Sequence, residues 1–283
     1  MCLFDMFKIS AFSDEVFDSL LDQINFLTNN NIKYIELRSI NKENIINIKD
    51  DLLYEYSSLL KQYGIKVSAI ASPIGKSDII DDFNSFYTSL ERAINVAAIF
   101  KTRLIRIFSF YNNHNIPEEE YRRNVIARLK KATELASENN IILVHENEKD
   151  IYGHSAVNCL DLVENINSDY FKLAYDPGNF VWNESISDNV DTCYKLLKKQ
   201  VAHVHIKDWK IGQVVSGEIP GRGDAQIKKL LLNLHKDGYN GFLTLEPHLG
   251  KGLHSGGVTS SEHFILAVDA LKKMCNDFNI NFK

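Results

Sequence analysis

The sequence has few cysteines, and none of them stands at a spacing used by metal-binding or disulfide motifs. Its 283 residues include four, which are Cys2, Cys159, Cys193 and Cys275. A zinc ribbon needs paired CxxC motifs, and a disulfide framework needs closely and regularly spaced cysteines. The sequence therefore predicts neither, and scattered thiols of this kind are typical of reducing compartments. We expect a cytoplasmic protein.

Long apolar runs and an excess of positive charge are also missing. No window approaches the about 18 uninterrupted apolar residues of a transmembrane helix. The first residues, MCLFDMFKISAF, show no basic segment followed by a long apolar one, so we expect no signal peptide. The net charge is −5, with acids and bases interspersed. Because nucleic acids and anionic membranes select basic surfaces, we expect neither as a partner.

Segments that would separate domains are absent as well. The chain has only five prolines, and no Pro/Gly/Ser-rich linker divides it. Its apolar fraction of 45% is enough to fill a large core. Since α/β barrels commonly reach ~250 residues as one unit, we expect a single domain over residues 1–283.

Short β-branched or aromatic runs alternate with longer segments of helical periodicity. Eight runs are strand candidates, at 7–12, 34–40, 66–72, 103–110, 141–147, 171–176, 201–207 and 242–247. The amphipathic stretches between them carry apolar residues at helical spacing. This repetition predicts an α/β fold, the (β/α)8 TIM barrel. The alternative, a doubly wound open sheet, would place a glycine fingerprint after the first strand, where FSDEVF stands.

Four consecutive strand candidates end in residues that bind metals. The fifth to eighth deliver Glu146, Asp176, His205 and Glu246, separated by 30, 29 and 41 residues. Alone, each could be a helix cap or an ordinary buried polar group. In a closed barrel the strands are neighbours, and three carboxylates that converge without a cation would repel one another. The set predicts one divalent metal ion, with Mn²⁺ preferred and Mg²⁺, Co²⁺, Zn²⁺ or Fe²⁺ as alternatives.

The strings around these residues resemble a known family. HEN, YDPGN, HVHIKD and LEPH look like the xylose isomerase-like TIM barrels, the sugar phosphate isomerases and epimerases of the AP endonuclease 2 superfamily. The resemblance covers nearly the whole chain, and HxHxKD with the four-ligand spacing is its most specific part. It implies that Glu146 and Glu246 bind the metal and also move protons. The expected reaction is isomerisation or epimerisation of a small carbohydrate through a cis-enediolate.

Some further residues are predicted to bind substrate. Lys207 shares the inward face of its strand with His205, and Arg106 is expected to project into the barrel mouth. Glu36 sits near the end of the second strand, where it would bind hydroxyls or join a buried layer of salt bridges. His203 is expected one layer deeper than His205, and it resembles a substrate-side histidine of the family.

Two positions lie in the loops around the expected site. Arg222 lies between glycines in EIPGRGDAQ, which resembles the Gly-rich family segment after the seventh strand. Asn179 stands where some ketose epimerases carry a substrate-binding histidine, and we expect it to contact substrate. The glycine-rich stretch 249–257, with Lys251, is a weaker candidate for anion binding because it lacks P-loop spacing.

The same scaffold supports other functions, which the sequence disfavours or leaves open. A trinuclear endonuclease would need more histidines, but the third strand ends in SPIG, and Asn179 stands three residues after Asp176. A dehydratase of inosose or dehydroshikimate type would use the same metal and base, and it stays as the alternative. A non-catalytic sugar-binding barrel is disfavoured because it would not need opposed glutamates. The identity of the substrate and any homo-oligomer are left open.

Overall fold

The computed structural model describes residues 6–250 and 259–283, and it forms a closed parallel barrel. The barrel strands, here numbered β1 to β8, are Met6–Ala11, Tyr34–Leu37, Lys66–Ala71, Leu104–Ile107, Ile142–Glu146, Phe171–Tyr175, Val201–Ile206 and Phe242–Leu245. Each pairs in parallel with its neighbour along the chain, and β8 pairs with β1 through registers such as Ala11 with Leu245. This confirms the predicted (β/α)8 fold.

Helices cover the outside of the barrel. In chain order, α1 to α9 are Leu20–Asn29, Asp50–Gln62, Phe83–Phe100, Glu118–Glu138, Ala156–Ile166, Pro177–Glu184, Lys195–Leu197, Ile227–Lys236 and Ser261–Asp277. Their apolar stripes face the strands, as in α4, where Val125, Leu129 and Ala132 are fully buried. A short antiparallel pair, Ser39–Ile40 with Glu43–Asn44, follows β2, and Asn281–Phe282 adds to β1.

Several strands end earlier than the sequence pattern indicates. The run 103–110 predicts an extended strand throughout, but β4 stops at Ile107 and Phe110 adopts a positive φ of 65°. The backbone of Phe108 and Phe110 instead bonds to Ile74 and Gly75 in the loop after β3. Apolar loop residues therefore extend the core beyond the strands, since Ile74, Phe108 and Phe110 are all buried.

Within residues 6–250 and 259–283, no helix combines the length and apolarity that crossing a membrane requires. Cys159, Cys193 and Cys275 are buried free thiols. Burial raises the pKa of the Cys193 thiol to about 11 and that of Cys275 to about 12. Cys2 lies outside the described residues.

Candidate metal centre

Four side chains from the ends of β5 to β8 converge at the mouth of the barrel. Glu146 closes β5, Asp176 follows β6, His205 lies in β7 and Glu246 follows β8, and all four are buried. One potential ligand atom from each lies within 4.8 Å of the others. His205 Nδ1 is 3.3 Å from Glu146 Oε1, 4.0 Å from Asp176 Oδ2 and 3.6 Å from Glu246 Oε2.

Three of the ligand atoms that face this centre have no hydrogen-bond partner. Asp176 Oδ2, His205 Nδ1 and Glu246 Oε2 are buried and have no hydrogen-bond partner. Native proteins seldom leave such atoms unsatisfied. Three carboxylate oxygens and one imidazole nitrogen suit a hard or borderline divalent cation such as Mg²⁺ or Mn²⁺. The residues present therefore fit the metal that the sequence pattern predicts.

The charge of the site leads to the same conclusion. Burial, together with the neighbouring Glu146 and Glu246, raises the pKa of Asp176 to about 7. Burial opposes a charged imidazole, but the carboxylates of Glu146 and Glu36 outweigh it and raise the pKa of His205. Asp176 and His205 thus bind protons more tightly than usual, because the neighbouring carboxylates concentrate negative charge there. A cation at the same place would replace these protons, since ligation requires ionised carboxylates and a neutral imidazole.

An arginine holds the second oxygen of each glutamate. Arg106 Nη1 lies 3.1 Å from Glu146 Oε2, and Arg38 Nη1 lies 3.0 Å from Glu246 Oε1. The guanidinium groups lie 5.7 Å and 4.6 Å from the centre of the Phe12 ring. Each glutamate therefore has one oxygen fixed by an arginine and another facing the common centre.

These contacts keep both glutamates ionised. Burial alone would raise the pKa of Glu146, but His205 and Arg106 lower it to about 2. For Glu246, burial is outweighed by Lys207 and then by His248, and its pKa is held well below the usual value. Both carboxylates are therefore ionised at neutral pH.

Behind the centre, Glu36 links two histidines of β7. Its Oε2 lies 2.6 Å from His203 Nε2 and its Oε1 lies 3.4 Å from His205 Nε2. His203 Nε2 is also 3.0 Å from Thr244 Oγ1. A carboxylate that accepts from the outer ring nitrogen fixes the tautomer of a histidine. With Nε2 of His205 donating to Glu36, Nδ1 is left free to face the other carboxylates.

Asn179 and Lys207 complete the wall beside Glu146. Asn179 donates from Nδ2 to Glu146 Oε1 at 3.3 Å and accepts from Lys207 Nζ at 3.0 Å. Lys207 Nζ also lies 3.6 Å from Asp176 Oδ2. Burial would lower the pKa of Lys207, but Asp176 and Glu246 raise it, so the ammonium group stays charged. Gly178 makes room for this lysine, because a Cβ there would lie 2.7 Å from Lys207 Cγ.

A cavity of about 620 Å³ opens above the centre. Its lining includes Glu146, Glu246, Lys207, Arg106 and Arg38, with Trp182 and Trp209 on one side. The two indole rings lie 5.6 Å apart, centre to centre. We refer to this space as the central cavity.

Two of the predicted substrate contacts lie elsewhere in the structure. His203 is fully buried in the barrel interior, and Arg222 is exposed on the loop before α8. Among the described residues neither lines the central cavity, and the predicted contact Asn179 is fully buried and absent from its lining as well. Their proposed contact with substrate stays a prediction. Lys251, in the glycine-rich stretch 249–257, lies outside the described residues.

Three contacts at or near the site are not predicted by the sequence pattern. Arg38 lies two residues after Glu36, a spacing that could have placed both on one face of the predicted strand 34–40. Asn147 exchanges two 2.9 Å hydrogen bonds with the backbone of Asp176, and no sequence signal predicts that contact. His145 faces the helices, and its Nε2 lies 2.9 Å from Ser109 Oγ. Burial lowers the pKa of His145 to about 3, so it is neutral.

Comparison with known proteins places the chain in a family. The family model described as xylose isomerase-like TIM barrel matches residues 26–273. The chain belongs to this family. No curated protein sequence matches the chain. The predicted resemblance is thereby confirmed at the level of the family.

Solved structures share the fold at low sequence identity. The probable 3-DHS dehydratase AsbF of Bacillus anthracis is 18% identical with a TM-score of 0.75, over 94% of this chain and 98% of that one. A D-allulose 3-epimerase of Methylomonas sp., in complex with D-allulose, is 14% identical with a TM-score of 0.74, over 96% and 97%. A family member of Mycobacterium smegmatis, in complex with magnesium, is 15% identical with a TM-score of 0.69, over 96% and 98%. At these identities they show the fold alone.

Proposed function

We propose that the protein is a divalent-metal-dependent isomerase or epimerase of a small carbohydrate. The observation that carries the proposal is the pair of ionised glutamates, Glu146 and Glu246, facing one centre with Asp176 and His205. Proton transfer between carbons needs one group that removes a proton and one that returns it. The epimerase of Methylomonas sp., whose structure contains D-allulose, has the same fold.

In this proposal Glu146, Asp176, His205 and Glu246 hold the metal, which we expect to be Mn²⁺. A divalent cation there would polarise a substrate carbonyl and acidify the adjacent C–H bond. One glutamate removes that proton. The same glutamate can return it at the neighbouring carbon, or the other glutamate, after taking up a proton from water, can deliver one to the opposite face. Reprotonation from the opposite face gives an epimer, whereas reprotonation at the neighbouring carbon gives an isomer.

The surrounding residues are assigned supporting roles. Lys207 stays protonated and lines the central cavity, so it can donate a hydrogen bond to a substrate oxygen that gains negative charge. Asn179 keeps Lys207 and Glu146 at a fixed separation through its amide group. Arg106 and Arg38 prevent the glutamates from turning away, because each fixes one carboxylate oxygen. A cytoplasmic location is part of the same proposal.

Exchange of substrate hydrogen with solvent tests the mechanism whatever the product is. Keto-sugars are incubated with the protein and Mn²⁺ in deuterated water, and deuterium incorporation is followed by NMR. We expect Glu146→Gln and Glu246→Gln each to lower the exchange rate by at least ~100-fold. The matched control is Glu148→Gln, since Glu148 lines the same cavity but pairs with Lys76 at 2.9 Å.

The same experiment separates the alternatives. Exchange at the wild-type rate in either glutamate variant contradicts the two-glutamate mechanism. Product lighter by one water molecule, detected by mass spectrometry, would identify a dehydratase instead. A purified protein that contains no divalent metal and takes none up would contradict an enzyme of either kind.

A further inference from the structure

A second cavity lies beside the central one. Its volume is about 580 Å³, and it is bounded by the loop after β4, the loop after β5 and the C-terminal end of α6. None of the four candidate metal ligands lines it. Lys149 and Asp150 line both cavities, so the two share the loop after β5 as a wall. We name this space the side cavity.

The wall of the side cavity carries a group of unsatisfied polar atoms. His154 has two ring nitrogens without a hydrogen-bond partner, Asn183 has both amide atoms without one, and Glu184 has one oxygen. All five atoms are buried, and all three residues line this cavity. Such groups normally have a partner in a native protein.

Neighbouring polar groups on the same wall are satisfied. Asn112 donates to the carbonyl of Ile116 at 3.0 Å, and Asn158 donates to the carbonyl of Tyr152 at 2.8 Å. The hydroxyl of Tyr152 lies 2.7 Å from Asp161 Oδ2. The unsatisfied atoms are therefore confined to His154, Asn183 and Glu184 and are not a general feature of this wall.

The chemistry of these groups restricts what could satisfy them. A neutral imidazole and an amide each donate and accept, whereas a carboxylate only accepts. Glu118, Asp150 and Glu184 line the cavity against one ammonium group, that of Lys149, so an anion would be repelled. A simple cation would leave the donors of Asn183 without a partner. Hydroxyl groups, which donate and accept, meet all the requirements.

We propose that the side cavity binds a neutral sugar ring, with His154, Asn183 and Glu184 as its polar contacts. Rotation of these side chains would turn their unsatisfied atoms toward the hydroxyls of the ring. Two sources are compatible with this chemistry: a second ring of the carbohydrate held in the central cavity, or a separate sugar. The proposal does not depend on the reaction proposed for the central cavity, because binding can be measured without turnover.

The test uses the full chain stripped of metal, so that no conversion occurs. The probes are methyl glycosides of glucose, galactose, mannose and xylose, which have no free carbonyl, and the two-ring sugars cellobiose, lactose, maltose and xylobiose. Affinities are measured by titration calorimetry and ligand-observed NMR. We expect at least one probe to bind and Asn183→Leu to weaken it at least tenfold.

Three further variants make the result specific. Glu184→Gln should also weaken binding, and it carries the test if Asn183→Leu fails to fold. Asn276→Leu, the same change at an exposed position on α9, should have no effect on binding. Glu246→Gln alters the central cavity alone. Because Asn183→Leu removes polar atoms that have no partner, the unfolding temperature of this variant should not fall. An unchanged unfolding temperature would show that weaker binding is not caused by loss of the fold.

Each outcome has a defined meaning. A methyl glycoside that depends on Asn183 but not on Glu246 supports the proposal and indicates a separate sugar. In the other case, a two-ring sugar binds at least tenfold more tightly than single rings, and both Asn183→Leu and Glu246→Gln weaken its binding. That result supports the proposal and indicates a second ring of one ligand. No binding of any probe, or binding insensitive to Asn183→Leu and Glu184→Gln, overturns it, and the polar atoms then contact only ordered water.

Discussion

Replacing Glu36 with glutamine tests how the barrel interior prepares His205 to bind a metal. Glu36 is 1% exposed and contacts both histidines of β7. Glutamine has the same size and keeps one carbonyl acceptor, but it loses the negative charge and can no longer accept from both rings. We expect Glu36→Gln to leave the barrel folded, since Thr244 remains a partner for His203.

The expected loss follows from the second contact of a ligating histidine. Removing such an outer partner typically lowers metal affinity about 10- to 100-fold. Tenfold corresponds to about 1.4 kcal/mol. Because the Glu36–His205 distance of 3.4 Å is long for a hydrogen bond, we expect the lower end of that range, about tenfold.

Metal affinity can be measured directly by competition between the protein and a fluorescent chelator for Mn²⁺. Glu148→Gln is the control, since it removes a carboxylate from the same cavity without touching His205. Glu36→Asp keeps the charge but shortens the side chain, so its affinity should lie between those of wild type and Glu36→Gln. If Glu36→Gln lowered the unfolding temperature but left metal affinity unchanged, Glu36 would be only a structural residue and the reasoning would fail.

Three shorter predictions address metal, space and orientation. Mn²⁺ at ~100 times its Kd should stabilise the protein by about 2.7 kcal/mol, seen as a higher unfolding temperature that EDTA reverses and Asp176→Asn abolishes. Gly178→Ala should displace Lys207 and slow deuterium exchange with the fold retained by circular dichroism, because its Cβ would lie 2.7 Å from Lys207 Cγ. Arg38→Lys should slow exchange about 10- to 100-fold by loosening Glu246, and an unchanged rate would refute that role.

Much of this architecture could be predicted because its signals are local. Alternating strands and helices follow from apolar periodicity, and the barrel rule places strand ends at one face. That rule was enough to bring Glu146, Asp176, His205 and Glu246 together from positions up to 100 residues apart in the chain. The resemblance to the xylose isomerase-like family rested on the same strand ends.

The contacts that could not be predicted join distant strands through particular side-chain geometries. Arg38 reaches Glu246 across 208 positions of the chain, and Glu36 reaches His203 across 167. Spacing along one strand shows which face a residue occupies, but not which residue across the barrel it meets. The early end of β4 was missed for the same reason, since loop contacts to Ile74 and Gly75 decide it.

β2 and the residue that follows it supply none of the four proposed metal ligands, yet they contact two of them. Glu36 contacts His205, and Arg38 contacts Glu246. The pairing of β2 with β3 shifts register between Ile35 and Glu36, and Ser68, left without a paired residue, donates to the carbonyl of Ile35. Such irregularities re-aim side chains near active sites. We infer that this bulge lets Glu36 and Arg38 reach β7 and β8, so a substitution at Ser68 that removes its hydroxyl should disturb metal binding without touching a ligand.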